Sequence, residues 1–425
     1  MPPANAWITL HPFPQLLSDG HECAGRNRSL ARWEWVRMDV LHGRIAAIDI
    51  GKRELVVCVR LPTAHPDGER LQQVRTFGTT TSDLLELRDY LTGEQVTTVA
   101  MEATGQYWRG AFYLLEESME TILVNPAHVK GLPGRKTDVL DAVWLCQLAE
   151  CGLVKASFVP PAPIRQLRDL TRHRSALLAE RTRSAQRLEK TLEDAQIKIS
   201  SVLTDLLGAS GRAMSNALIG GERDPGALAD LAKGRSRARI SELTDALDGR
   251  FQEHHAFLCG QHLRLIDELT ALLGELTRRI EDAVRPWERQ IGLLQTIPGV
   301  GRATAETIVA ETGAVMQQFP TPGQLASWAG ATPGHYRSAG RETSSRTGPG
   351  NRWLAAALGL AALSAGRSKH TYLGARYRTL APRIGGQRAN VALQHDILTG
   401  PEGSFYDISQ NCPDMVMGDV QAWRV

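Results

Sequence analysis

The sequence has no run of 18 apolar residues and lacks the basic-then-apolar order of a signal peptide. Neither a membrane span nor an export signal is therefore expected. Its six cysteines (Cys23, Cys58, Cys146, Cys151, Cys259 and Cys412) are scattered, with no C-x-x-C pair. That excludes the common zinc spacings and a disulfide framework, and it fits a reducing cytoplasm. Charge of one sign is also scarce. The net charge of +3 does not mark a nucleic-acid binder, so the local distribution of charge has to. What is present is ordinary for a folded chain: 42% hydrophobic and 22% charged residues, over 425 residues, enough for two or three domains.

Residues 1–43 carry Pro, Trp and Arg without a clear period and are expected to be poorly ordered. Met38, just before the first convincing strand, is a candidate true start of translation; native peptides from before it would defeat that reading. From Arg44 the pattern turns α/β. Ile45-Ala-Ala-Ile-Asp49 is a short apolar strand ending in an acid, Gly51-Lys52 turns the chain, and Leu55–Val59 returns as a β-branched strand, a hairpin signal. Gln73–Phe77 reads as a third strand and Leu84–Leu91, after Thr81-Ser82-Asp83, as a capped helix. Val96–Met101 is a buried strand ending at Glu102, Gly105 opens a helix through Glu117, and Thr121–Val124 is a further strand. A helix starting near Thr137 closes an α/β domain over 44–157.

Beyond Val159-Pro-Pro-Ala-Pro163, a stiff linker, the texture becomes helical. Ile164, Leu167, Leu170, Leu177, Leu178, Leu188 and Leu192 are spaced for one long amphipathic helix, and Leu265–Val284 form a second stripe. Residues 208–235 are Gly-rich and read as loop between short helices. The two stripes predict an antiparallel coiled-coil arm over 164–290, with a plain helical bundle as the alternative. Between 165 and 190 eight Arg or Lys stand against three acids. This excess makes Arg172, Arg174 and Arg181 candidates for nucleic-acid backbone contacts. A mainly α region over 291–398 follows. In it Ile297-Pro-Gly299-Val-Gly301-Arg302 has a helix-hairpin-helix pattern, and the free N–H groups of the second helix can cradle a phosphate. Thr332–Gly350, rich in Ser, Gly and Arg, reads as a loop that can touch phosphates.

The stretch Arg135-Lys136-Thr137-Asp138-Val139-Leu140-Asp141 organises the chemistry. Asp138 and Asp141 share one face near a helix start, and their mutual repulsion is relieved by a hard divalent cation. Asp49 and Glu102 end two strands, and in open sheets ligands gather at the carboxyl ends of strands. Four acids around one crevice would bind one or two Mg²⁺ through oxygen and activate phosphodiester chemistry. Strand-end Asp, strand-end Glu and helical D-x-x-D in this order are what an RNase H-like nuclease core requires. Arg135 and Lys136 can hold a phosphate beside that centre.

The chain resembles the transposases of the insertion sequence 110 family, understood as bridge-RNA-guided DNA recombinases. The resemblance is carried by Ile48-Asp49-Ile50-Gly51-Lys52, Glu102-Ala-Thr-Gly105, Asn125-Pro-Ala127, Lys136-Thr-Asp138-x-x-Asp141-Ala142, Ile297-Pro-Gly-Val-Gly301 and Ala329-Gly-Ala-Thr-Pro333 followed by Tyr336-Arg-Ser338. It covers about residues 44–395. It implies an RNase H/RuvC-like domain whose DEDD acids, here Asp49, Glu102, Asp138 and Asp141, bind Mg²⁺. It also implies a coiled coil used in assembling a homo-oligomer, a C-terminal catalytic serine, DNA and a structured guide RNA as partners, and a place at the bacterial nucleoid in the cytoplasm. Ser338 holds the place of the serine; Ser344 and Ser345 are rivals. Arg337, Arg341 and Arg346 surround it. Target choice would then come from base pairing to the guide. The tail over 399–425, Thr399-Gly-Pro-Glu-Gly-Ser onward, departs from the apolar helix that the family continues with. The competing readings are a hydrolytic junction nuclease using the same acids, and an inactive DNA-binding remnant built on the hairpin at 297–302.

Overall fold

The computed structural model describes residues 40–63, 70–126, 138–313, 318–334, 336–338, 341–344 and 346–399. Its contacts divide the chain after Ser157 into two units. At the centre of the first is β1 (Ile45–Ile50), buried on both faces except at Asp49. Gly51 N–H donates to Glu54 O at 3.0 Å and returns the chain into β2 (Glu54–Leu61), antiparallel to β1. β3 (Leu71–Gly78) adds antiparallel to β2 as a more exposed edge. β4 (Thr98–Glu102) lies parallel to β1, and β5 (Glu120–Val124) parallel to β4. The order is β3-β2-β1-β4-β5. A three-stranded meander continued by parallel strands is the RNase H-like arrangement expected of this stretch.

Parallel neighbours need crossovers, and two helices supply them. α1 (Thr81–Gly93) starts in a capping box: Asp83 N–H donates to Thr80 Oγ1 at 3.3 Å, and Thr80 N–H donates to the Asp83 carboxylate at 2.9 Å. α2 (Trp108–Leu115) starts three residues later than expected, because Gly105 takes φ +54° in a turn. Leu87, Leu91 and Leu115 of these helices are buried, as are Ile48, Val57, Val99 and Met101 on the sheet. α3 (Asp138–Glu150) covers the other face. Its Ala142, Leu145, Cys146 and Ala149 pack on Ile45, Ala47, Val56, Cys58, Ala100 and Val124.

The end of the segment expected to be poorly ordered is tied down: Leu41 and His42 N–H groups donate to Glu150 O at 2.9 and 3.2 Å. Met38 and the residues before it lie outside the described residues.

In the second unit, α4 (Ala162–Asp194, 33 residues) and α8 (Glu253–Ala283, 31 residues) run antiparallel. Ile164 and Leu167 of α4 share a core with Ile280 and Val284 at one end, and Leu188 and Leu192 share another with Cys259, Leu263 and Ile266 at the opposite end. At that far end the Gly-rich region expected to be loop is largely helical: α5 (Ala209–Ile219), α6 (Pro225–Asp230), then α7 (Ile240–Leu247). Buried Met214 and Leu218 on α5 and Leu228 on α6 supply the stripe that outweighs glycine's poor propensity. α8 also begins twelve residues before the apolar stripe that announced it, because its first turns bury His255 and Cys259 rather than leucines.

The other end continues into α9 (Glu288–Leu294), α10 (Arg302–Thr312), α11 (Pro322–Ala329), α12 (Arg352–Arg367), α13 (Tyr372–Ile384) and α14 (Gly386–Thr399). These share the core of Ile164, Leu167 and Ile280, so the arm is rooted in the C-terminal helices rather than linked to them. The loop expected over Thr332–Gly350 contains a hairpin, β6 (Tyr336–Ser338) and β7 (Arg341–Ser344). No helix among the described residues is long and apolar enough to cross a membrane. The atypical tail beyond Thr399 lies outside the described residues.

Candidate active site

Strand register brings two of the four acids together. Ile48 pairs with Met101 across the parallel β1/β4 ladder, so Asp49 and Glu102 stand next to each other at the carboxyl ends of adjacent strands, about 4.8 Å apart in the pairing direction. Side chains alternate along a strand. Ile45 and Ala47 on β1 and Ala100 on β4 face α3, so Asp49 and Glu102 face it too. Both are half-buried and both have neighbours among polar groups.

The helix supplies the other two. The Cys146 thiol lies against Ile45 O, and Glu150 meets Arg60 on β2 at 2.8 Å. α3 therefore runs opposite to β1, and its first turn points to the strand ends. From Cys146 back to Asp138 is eight residues, about 12 Å of helix; from Ile45 to Asp49 is about 13 Å of strand. The two lengths match, so the start of α3 is level with Asp49. Asp138 opens the helix and Asp141, one turn on, is exposed.

The residues brought level here are carboxylic acids at the open end of an otherwise apolar layer. That set suits a hard divalent cation rather than a soft or redox metal. Arg135 and Lys136 lie outside the described residues.

The far end of α3 is held differently. Glu150 is almost fully buried between Arg60 and Arg70, with Arg70 Nε 2.5 Å from Oε1. Cys146, beside it, is held protonated by its hydrogen bond to Cys58 and by burial, whereas Cys58 is lowered by the same bond. Neither thiol has the exposed cationic surroundings of a reactive cysteine.

The hairpin separates the candidate serines. Ser338 is the last residue of β6 and pairs with Arg341 across the turn, whereas Ser344 pairs with Tyr336 toward the foot. Arg337 pairs with Glu342. The foot is fixed by a Pro333–Thr347 bridge, by Gly334 N–H donating to Arg346 O at 3.0 Å, and by Asn351 N–H donating to Trp328 O at 3.2 Å. Gly330 and Gly350 cross there. A Cβ on Gly350 would come within 2.5 Å of Gly330 Cα, and both have positive φ, so two side-chain-free residues let the strands leave a common root. Ser345 lies outside the described residues.

Two arginines proposed for nucleic acid are consumed inside the protein. Arg172 makes a two-pronged pair with fully buried Glu311 at 2.7 and 2.8 Å, and Arg174 reaches buried Glu306 at 2.6 Å. Their neighbour Arg168 donates to Ala310 O and Glu311 O at 3.0 and 2.7 Å, closing the C-terminal end of α10. Arg172 and Arg174, expected to contact a nucleic-acid backbone, are thus engaged with buried acids, and giving either up to a phosphate would leave a buried charge unpaired. Arg302 is likewise balanced, by Glu288 at 2.6 and 2.9 Å and by Glu306 at 3.1 Å. Arg181 donates to Thr270 Oγ1 at 2.8 Å and bridges the two arm helices. Arg346 is exposed beside the hairpin foot.

α9 and α10 form two helices joined by a tight turn. Gly299 has φ +89°, and a Cβ there would meet Ala361 O of α12 at 2.3 Å. Gly301 caps α10 without a side-chain bond. The turn is thus pressed onto α12 on the Gly299 side, while nothing lies within 4 Å of a Cβ built on Gly301.

Sequence reasoning missed three features. One is Asn351, whose side chain donates to Glu311 at 2.7 Å while its Oδ1 accepts from Trp353 and Leu354 N–H groups. It joins the arm's salt bridges to the start of α12, and its Asn-before-helix position was a readable cap signal. The second is Lys233-Gly-Arg-Ser-Arg-Ala-Arg239, where Lys233, Arg235, Arg237 and Arg239 are exposed at the far end of the arm; charge counting by window would have found it. The third is a cluster of Asp194, His254 and His255. Gln252 N–H donates to His255 Nδ1 at 3.1 Å, which leaves Nε2 to donate to Asp194 at 3.2 Å; in that arrangement the His255 ring has no lone pair for a cation, and only Asp194 and His254 could offer ligands.

A family model described as Transposase, of the DEDD and IS110 type, matches residues 46–197, and one described as Transposase IS116/IS110/IS902 family matches residues 292–378. No curated protein matches the chain. Among solved structures, a Thermus thermophilus RuvC structure is 15% identical, with a TM-score of 0.21, and the match covers 27% of this chain and 99% of that one. The first model covers the acid-bearing sheet and the first arm helix, the second covers the hairpin, and together they match more than half of the chain, which belongs to the IS110 family of transposases, DNA-cleaving and strand-transferring proteins.

Proposed function

We propose that the chain is a Mg²⁺-dependent serine recombinase, in which Asp49, Glu102, Asp138 and Asp141 hold the cation and Ser338 carries the DNA. The observation that supports the acids is the β1/β4 register, which sets Asp49 beside Glu102 on the face covered by α3. Bound there, Mg²⁺ supplies charge stabilisation at the scissile phosphate and lowers the cost of an alkoxide. What favours Ser338 over Ser344 is its position as the last residue of β6 at the turn, whereas Ser344 pairs with Tyr336 toward the foot.

Ser338 Oγ forms a bond to phosphorus as the bond from phosphorus to the leaving sugar oxygen breaks, and the serine proton ends on that oxygen. A hydroxyl from a second strand then displaces Ser338 and returns its proton. The number of phosphodiester-type bonds is unchanged throughout, so strand exchange needs no external energy source. Arg337, Arg341 and Arg346 steady the backbone around the serine, and the start of α10 at Gly301 offers N–H groups to a phosphate. Arg135 and Lys136 serve the same purpose beside the acids. Sequence choice by a structured guide RNA, and a homo-oligomer in which one protomer's Ser338 serves another's acids, follow from the family resemblance.

A hydrolytic reading remains in competition, since the four acids lie in one unit and Ser338 belongs to the other. It predicts free 5′-phosphate ends. The test is incubation with element-end DNA, guide RNA and Mg²⁺, followed by denaturing electrophoresis. A protein–DNA adduct lost in Ser338→Ala but kept in Ser344→Ala and Ser345→Ala supports the assignment; an adduct that survives Ser338→Ala sinks it.

A further inference from the structure

A cavity of about 790 Å³ opens at the foot of the hairpin, within the ~300–1,000 Å³ of sites that take small organic ligands. One wall is α14, which lines it with two rows at i, i+4 spacing. The first row is Gln387, Val391 and His395; the second is Arg388, Ala392 and Asp396. Each is polar at both ends and aliphatic in the middle. Across from α14 stand Pro333 and Arg346, from the two arms of the hairpin foot. Arg376 completes the rim and pairs with Asp396 at 3.1 Å. Three arginines therefore line the cavity against one carboxylate, around an apolar middle.

A bare phosphate would have no use for the aliphatic middle, and an apolar ligand none for the guanidinium groups. A nucleotide uses both: its base is flat and largely apolar across its faces, and its phosphate is anionic. We propose that this cavity receives one unpaired DNA nucleotide, with its base over Val391 and Ala392 against Pro333, and its phosphate toward Arg388 and Arg346. The Arg376–Asp396 pair and His395 then meet the base edge. Because Pro333 and Thr347 bridge the base of the hairpin that ends at Ser338, a nucleotide held here would fix how far along the strand the serine acts. The proposal rests on the reading of that hairpin as the DNA-facing part of the chain.

The test uses the full chain and fluorescence anisotropy with a paired DNA duplex, the same duplex carrying one unpaired nucleotide, and the equivalent RNA. The native protein is expected to bind the DNA with the unpaired nucleotide about tenfold more tightly than the paired one. Ala392→Trp, which fills the middle of the cavity, abolishes that preference and leaves paired-duplex affinity within about twofold. Arg388→Gln, on an exposed side chain, weakens both DNAs and reduces the log–log salt slope by about one.

The proposal is overturned if the native chain shows no preference, if the preference appears for RNA alone, or if Ala392→Trp keeps it with an unchanged melting temperature. Should Ala392→Trp not fold, an unchanged salt slope in Arg388→Gln overturns it alone. A Ser338 adduct without any preference defeats only the pocket; a preference without an adduct defeats only the serine.

Discussion

The sheet unit and the arm both carry clusters of charge, and they put them to opposite use. In the sheet unit the acids Asp49 and Glu102 sit where strands run out, at the open end of an apolar layer, with Asp141 exposed on the helix that covers it. In the arm, Arg172 and Arg174, which looked equally available, are turned inward with Arg168 onto Glu306 and Glu311, which are almost entirely buried. A charge cluster at a strand end remains open because the backbone stops there. A charge cluster on a long helix faces whatever packs beside it, and here the partner is the C-terminal helix α10. Charge density alone does not distinguish a site from a staple; the element beneath it does.

The comparison breaks most visibly at the acids. Asp49→Asn or Glu102→Gln should lower metal-dependent strand cleavage by roughly a thousandfold or more, the worth of several kcal/mol at the transition state, with little change in melting temperature. If cleavage persisted at the native rate, the sheet unit would hold a staple too.

Glu311→Ala should do the reverse, costing on the order of 3 kcal/mol of stability because it strands Arg172 and Asn351. Chemical denaturation measures this, and Glu311→Gln should recover part of it by keeping the acceptor for Asn351.

A smaller effect, and a sharper one, concerns binding. Arg172→Gln should leave the salt slope of DNA binding unchanged, where a phosphate-contacting arginine would reduce it by about one.

The smallest effect concerns Glu288, whose carboxyl is held below the usual range by the Arg302 side chain. A depressed carboxyl contributes stability above its unfolded pKa and loses it as pH falls through the folded value. The melting temperatures of native and Glu288→Gln protein should therefore differ slightly near neutrality and converge in acid.

The sheet unit was legible because its signals are local. β-branched runs, a Gly51 turn and the cap signal at Thr81-Ser82-Asp83, which the structure places one residue earlier at Thr80, each act within a few residues, and Asp49, Glu102 and Asp138 stand where those elements stop or start. The arm's stripes were legible for the same reason. What the arginines do was not: Arg172 and Glu311 are 139 positions apart, and Arg174 and Glu306 132, so no window of sequence contains both partners. The hairpin at Ser338 was hidden because strands of three and four residues in a Ser-, Gly- and Arg-rich stretch carry no alternation to detect. The onset of α8 was missed because His255 and Cys259 do the packing that leucines do further along.

The most direct test of the account is a crystal of the chain soaked in Mn²⁺ as a stand-in for Mg²⁺, with the metal located by anomalous scattering. A peak is expected between Asp49, Glu102 and the start of α3, lost in Asp49→Asn. A peak at Asp194 and His254 on the arm instead, or a peak that survives Asp49→Asn, would contradict it.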